Sequence, residues 1–336
     1  MTRAMTRRAL PALVALALVA GTVPALGYLK LGTRVGSTTA NLRWTNQPVR
    51  YYVTDRGTTG VTAPQFQSAI AASFAVWDAV EDADLSFTFA GPTQANPITG
   101  DSMTVLGYQN RPDLDRVLGA TNFIIDTTTG EILESDIFFN SSFPWSTDAQ
   151  GIAGRHDVQS IAVHEIGHLL GLGHSALGET EMIAGGRRVL GAESVMFPIA
   201  FAPGSIHDRT LREDDIAGIS DIYPSTQSRR TRGSISGKVT KNGAGVLGAH
   251  VVAFNTRTGA LVGGFSLNND GGFTIAGLKS GTYTIRTEPL DDADISSFFD
   301  SSLDIDVNFG ARFHDRVVVV PPGGGTRDVD VKVTPK

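Results

Sequence analysis

The chain has 336 residues, 41% of them hydrophobic, a formal net charge of −6 and no cysteine. That length suggests two domains, and the apolar content is enough for sizeable cores. The acidic balance argues against nucleic acid as a partner, because phosphate binding needs a basic surface, and the missing cysteines exclude disulfides.

Residues 1–27 read as a secretory signal. Arg3, Arg7 and Arg8 form a positive start, Ala9–Ala20 is an apolar run, and Val23-Pro24-Ala25 or Ala25-Leu26-Gly27 offers small residues for cleavage. The alternative is an uncleaved membrane anchor. Pro11, Gly21 and Pro24 interrupt that run, and it is short for a hydrocarbon layer about 30 Å thick. The expected location is therefore outside the cell, with bacterial export suggested by composition, and no stable membrane insertion after cleavage. A secreted chain without disulfides must rely on packing or a bound metal for durability.

Residues 41–224 read as an α+β enzyme domain. Val49–Thr54 is a β-rich run. Thr62 is placed to cap a helix over 63–80, with Phe66, Ile70, Phe74 and Trp77 on one stripe. Leu85, Phe87 and Phe89 alternate as in a half-buried strand, and 103–108, 117–126 and 132–139 are further strand candidates.

The next segment carries the chemistry: His164-Glu165-Ile166-Gly167-His168-Leu169-Leu170-Gly171-Leu172-Gly173-His174. Asp157 is a plausible N-cap for a helix whose apolar face holds Ile161, Ala162, Ile166, Leu169 and Leu170. His164 and His168, four apart, project from one face, and Glu165 lies about 100° further round. His174 is six residues beyond His168, so a continuing helix would carry it about 9 Å along the axis and roughly 240° round. The helix must therefore stop and the chain turn back. Gly171 sits where this must happen, since glycine accepts the left-handed conformation that ends helices. Three neutral imidazoles suit zinc and leave a fourth position open for chemistry. Glu165 is then placed to take a proton from water and deliver it to a leaving amine.

This extended motif resembles that of the metzincin metalloproteases, and its surroundings resemble the matrixin branch. Ser194-Val195-Met196-Phe197-Pro198 is similar to the family's Met-turn, residues 211–219 resemble its closing helix, and Ser175 is also matrixin-like. The resemblance implies a zincin-like catalytic domain with a twisted mixed sheet and an active-site helix. It implies one catalytic zinc on His164, His168 and His174, Glu165 as general base, Met196 beneath the metal, and Asp214 and Asp215 bracing the Met-turn. It also implies an edge strand, here 117–123, that pairs with an extended peptide substrate. Two departures stand out. The first histidine in the chain is His156, so the second, structural zinc of many matrixins is not expected. Twenty-two positions separate His174 from Met196, and the added segment, with Glu179, Glu181, Arg187 and Arg188, is expected to border the primed side of the cleft. Asp126, Glu131, Glu134 and Asp136 are either calcium ligands or ordinary acidic residues of a solvated hairpin. His156, His207, His250 and His314 are read as surface or satisfied histidines.

Residues 225–232 are polar, with Arg229, Arg230 and Arg232, and read as a linker open to proteolysis. From residue 233 to 336 short strands alternate with turn signals such as Asn242-Gly243 and Asn269-Asp270-Gly271. Residues 233–286 resemble a carboxypeptidase-regulatory-like or Cna-B-type β-sandwich, with 317–320 and 329–333 as closing strands. The acidic stretch 291–315 reads as a loop, with a cation site as the alternative. The resemblance suggests a binding or spacer module whose ligand is unknown.

The expected function is a secreted zinc endopeptidase acting on proteins or peptides. A different class is a catalytically weak extracellular binding or adhesion protein that uses the β-sandwich. A third reading is a zincin whose third ligand is a distant glutamate. Retention of Glu165 speaks against the second; zinc affinity after His174→Ala discriminates the third, since unchanged binding would mean that His174 is not a ligand.

Overall fold

The computed structural model describes residues 30–336 apart from 36, 37 and 185. The expected signal segment, 1–27, lies outside the described residues. Among these, no helix is long and apolar enough to cross a membrane.

The first domain is built on a twisted five-stranded mixed sheet. Strand β1 (Val49–Thr54) is followed by helix α1 (Ala63–Asp78), then β2 (Phe87–Thr93), β3 (Val105–Gln109), β4 (Gly119–Ile125) and β5 (Ile132–Asn140). The spatial order is β2-β1-β3-β5-β4. All neighbours run parallel except the last pair, where β4 lies antiparallel to β5. Strand β4 is therefore an edge, as expected for 117–123.

Helix α1 starts where the sequence says. Thr62 Oγ1 accepts from Gln65 N (3.4 Å) and Gln65 Oε1 accepts from Thr62 N (2.9 Å), a reciprocal cap. Phe66, Ile70, Phe74 and Trp77 are all buried. The helix ends at Asp78 rather than residue 80, because the Val80 N–H closes onto Trp77 O in a tighter turn (3.2 Å). Its apolar stripe packs on helix α2 (Val158–Leu169), and the Trp77 Nε1–H donates to Val163 O at 3.0 Å. This contact fixes the depth at which α2 lies against the sheet.

The added segment is a hairpin of β6 (Gly178–Ile183) and β7 (Gly186–Ala192), and the domain closes with α3 (Glu213–Ile222). Residues 225–232 differ along their length from the expected exposed linker. Ser228–Thr231 is one helical turn, on which Arg229 and Arg230 are exposed. Arg232 is buried, with ion pairs to Asp82 (2.7 Å) and Glu213 (2.9 Å). A guanidinium taken out of water needs such partners, and here they tie the start of the second domain to the first.

The second domain is a sandwich. One sheet is centred on β8 (Arg232–Lys241), which pairs with β11 (Gly272–Lys279) and, in parallel, with β14 (Val331–Val333). The other holds β9 (His250–Asn255), β10 (Leu261–Phe265), β12 (Gly281–Glu288) and β13 (Val318–Val320) in the order β10-β9-β12-β13, all antiparallel. Alternate residues such as Ile235, Val239, Val251, Ala253, Ile285 and Val320 face inward. These residues share one contiguous apolar cluster with Trp77, Ile166 and Ile219 of the first domain.

Candidate metal centre

Asp157 caps α2 as expected, with Oδ2 accepting from Ser160 N at 2.8 Å; Arg209 pairs with the same carboxylate. The helix ends at Leu170, and Gly171 adopts φ +96°. Its N–H donates to His168 O (2.7 Å) and the Leu172 N–H donates to Gly167 O (3.0 Å). These are the two bonds of a glycine-based helix stop. The turn brings His174 back to the helix, so the three imidazoles meet. Ring centroids lie 4.7 Å (His164–His168), 4.8 Å (His168–His174) and 5.5 Å (His164–His174) apart. One ligand atom from each lies within 4.8 Å of the others, the sole such group of three or more metal-binding side chains among the described residues.

The hydrogen bonds decide which nitrogen faces inward. Nδ1 of His164 meets Val195 O (2.7 Å), that of His168 meets Leu172 O (2.8 Å), and that of His174 meets Ser297 O (2.7 Å). A carbonyl only accepts, so each Nδ1 carries the proton and each Nε2 keeps its lone pair for a metal. Burial reinforces this neutral state. It lowers His164 to about 4, with help from the nearby His174, holds His168 well below the usual imidazole value, and lowers His174. Three neutral imidazoles, each with Nε2 left for a metal and all close together, fit zinc.

Glu165 lies beside the triad, 6% exposed. Thr121 Oγ1, reaching from edge strand β4, lies 2.7 Å from Glu165 Oε2 and 3.0 Å from its backbone carbonyl. Burial raises the Glu165 carboxyl to about 7, against the lowering effect of the Thr121 hydroxyl. Thr121 and Ser297 were not legible as site residues. The first lies within the expected edge strand but has no motif, and the second acts through its backbone.

Met196 is buried beneath the helix. A Cβ on Gly167 would sit 2.3 Å from its sulfur, so glycine at 167 is what lets the thioether approach between the ligands. Asp215 holds the turn that carries Met196. Its carboxylate accepts from Ser194 Oγ (2.5 Å), Val195 N (3.1 Å) and Arg212 N (2.8 Å). Asp214 also meets this turn, through hydrogen bonds with Ser194 and Ser175, and in addition its Oδ1 accepts the Gly263 N–H of the second domain at 2.8 Å.

Burial, with Asp215 beside it, pushes the Asp214 carboxyl up to about 7 from an ordinary 3.8. Between those values the folded chain holds a proton that the unfolded chain has lost, so this residue's contribution to stability falls as pH rises through the window. Asp214→Asn keeps an acceptor for Gly263 but cannot ionise. Its melting temperature should gain on that of the parent as pH is raised from 5 to 8; a constant difference would mean that Asp214 is ionised throughout.

The four carboxylates considered for calcium form no group of three ligands among the described residues, though Glu134 and Asp136 lie side by side and are buried rather than on a solvated hairpin. Asp126 accepts from Thr128 N (2.7 Å), Glu131 from Asn46 (2.9 Å), Glu134 from Ser102 N (2.6 Å) and Asp136 from Val105 N (2.8 Å). Among the other histidines, His250 is buried against Glu288, His207 lies by Asp208 and Arg212, and His314 Nδ1 meets Asp330 O.

Fold and site together define the class, an α+β domain whose central helix carries a three-histidine centre, with a β-rich domain behind it. The family model for matrixin matches residues 43–224, more than half of the chain, and that for the carboxypeptidase regulatory-like domain matches 234–291. The chain belongs to the matrixin family. It is 30% identical to metalloendoproteinase 1 of Glycine max over 177 residues, which is 47% of this chain and 45% of that protein. It is 40% identical to metalloendoproteinase 5-MMP of Arabidopsis thaliana over 67 residues, 20% of this chain and 14% of that protein. The chain thus spans less than half the length of these curated relatives.

Proposed function

We propose that this protein is a zinc-dependent endopeptidase that acts on proteins outside the cell. The observation that carries the reading is the convergence of three Nδ1-anchored imidazoles next to the buried Glu165 carboxylate. Zinc held by His164, His168 and His174 would supply Lewis acidity and lower the pKa of a water to about 7. Glu165 is placed to take a proton from a water onto its carboxylate and return it to the departing amine, and Thr121 Oγ1, 2.7 Å from Oε2, holds that carboxylate in place. Strand β4, paired only with β5 among the described strands, offers its free edge to an extended peptide backbone. The apolar run behind Arg3, Arg7 and Arg8, followed by small residues, supports export.

The test is incubation of the purified protein with a diverse peptide mixture, with and without a chelator. Internal cleavage should appear, stop when metal is removed and return when zinc is restored. Cleavage indifferent to chelation, or none in zinc-loaded folded protein, would overturn the proposal.

A further inference from the structure

Two of the three imidazoles are anchored by carbonyls of their own domain, Leu172 and Val195. The third is not. His174 Nδ1 bonds to Ser297, 123 residues away in the second domain. Ser297 lies in residues 289–317, the excursion between β12 and β13. There, Ile295–Ser297 form a tight helical turn, closed by Ser297 N→Asp294 O (2.8 Å) and Phe298 N→Ile295 O (2.9 Å). The turn leaves the Ser297 carbonyl free to accept from the imidazole.

The turn is seated from both sides. Phe298 and Phe299 are buried and pack on Phe265 of the sandwich, at centroid distances of 5.6 and 5.3 Å. The same apolar cluster contains Phe197, next to Met196, and Ala192 at the end of hairpin β6–β7. The hairpin grips the excursion directly, through Thr180 Oγ1→Asp292 O (2.7 Å) and Arg187 Nη1→Asp291 O (2.8 Å). The matched regulatory-like domain ends at 291, so Ser297 lies outside what that family describes.

We infer that the second domain completes the metal centre, and that Ser297 is a positioning residue that sets the tautomer and tilt of His174. This rests on the zinc reading above. An imidazole without its Nδ1 partner swings about its side-chain bonds and presents either nitrogen, and losing such a partner typically weakens metal binding about 10–100-fold.

The test uses the full chain. Residues 294–299 are replaced by a Gly/Ser segment of equal length, and zinc affinity is measured by competition with a chromogenic chelator. A control variant, Leu267→Ala, loosens the same apolar cluster without touching the turn. The turn variant should bind zinc about 10–100-fold more weakly, while Leu267→Ala lowers the melting temperature and leaves zinc affinity within twofold. Equal zinc affinity in the turn variant and the parent would overturn the inference, as would equal weakening in both variants. If the turn variant fails to fold, an ester in place of the Ser297–Phe298 peptide bond weakens that carbonyl as an acceptor but also removes the Phe298 N–H, so it is compared with an ester at Ser296–Ser297, which removes the other closing N–H and leaves the Ser297 carbonyl an amide; the first should weaken zinc binding several-fold more than the second, and equal affinity in the two overturns the inference. Failure of the parent itself to bind zinc would instead refute the assignment of the centre.

Discussion

Glu165→Gln is expected to abolish peptide cleavage, lowering kcat by about 10²–10⁴-fold, the usual contribution of a positioned acid–base group, with zinc content unchanged. Glutamine matches glutamate in shape, and its amide oxygen can still accept from Thr121 Oγ1, which lies 2.7 Å from Glu165 Oε2. The three imidazoles keep their carbonyl partners, none of which involves Glu165. What the variant loses is the capacity to accept and return a proton. Turnover on a fluorogenic peptide, measured beside the zinc-to-protein ratio, separates the two effects. Parental turnover in the variant removes Glu165 from the chemistry; loss of zinc would show that its carboxylate also helps to hold the site together.

The second large effect is expected at Gly171. An alanine there would adopt φ +96°, at a cost of roughly 1–2 kcal/mol for an L-residue held in the left-handed region. Its Cβ would also fall 2.2 Å from Leu42 O, a backbone atom that cannot step aside cheaply. Gly154 gives the comparison, with φ +78° and nothing within 4 Å of an added Cβ. Gly154→Ala should therefore show the conformational cost alone, and Gly171→Ala a clearly larger fall in melting temperature. Gly171→Ala should also weaken zinc binding, because the disturbed turn carries Leu172 O, the partner of His168, and delivers His174. Equal melting temperatures in the two variants would mean that the turn relaxes around the methyl group.

Much of the centre was legible because it is local. The four-residue spacing of His164 and His168, the stop at Gly171 and the cap at Asp157 follow from helix geometry and backbone sterics, and all three stand as expected. The capped, striped helix α1 and the edge position of β4 follow from side-chain periodicity and from the family resemblance. What stayed hidden depends on contacts far apart in sequence. A backbone carbonyl such as that of Ser297 has no residue-type signature. The stretch 291–315 drew notice for its acids, yet its buried phenylalanines are what seat it on the centre. Arg232 reads as one more basic residue of a linker until Asp82 and Glu213 are seen beside it. Asp214 was grouped with Asp215 as a brace, which its bond with Ser194 supports, and only the fold shows that it also accepts from Gly263.

The distance along the chain between His174 and Ser297 gives the order of synthesis a meaning. A ribosome makes the half with the three histidines first, and the carbonyl that meets the third imidazole emerges much later. A nascent or broken chain that stops short of this tail would carry every residue of the motif yet hold its metal poorly. The producing cell would then be spared a working protease until the whole polypeptide is finished and folded.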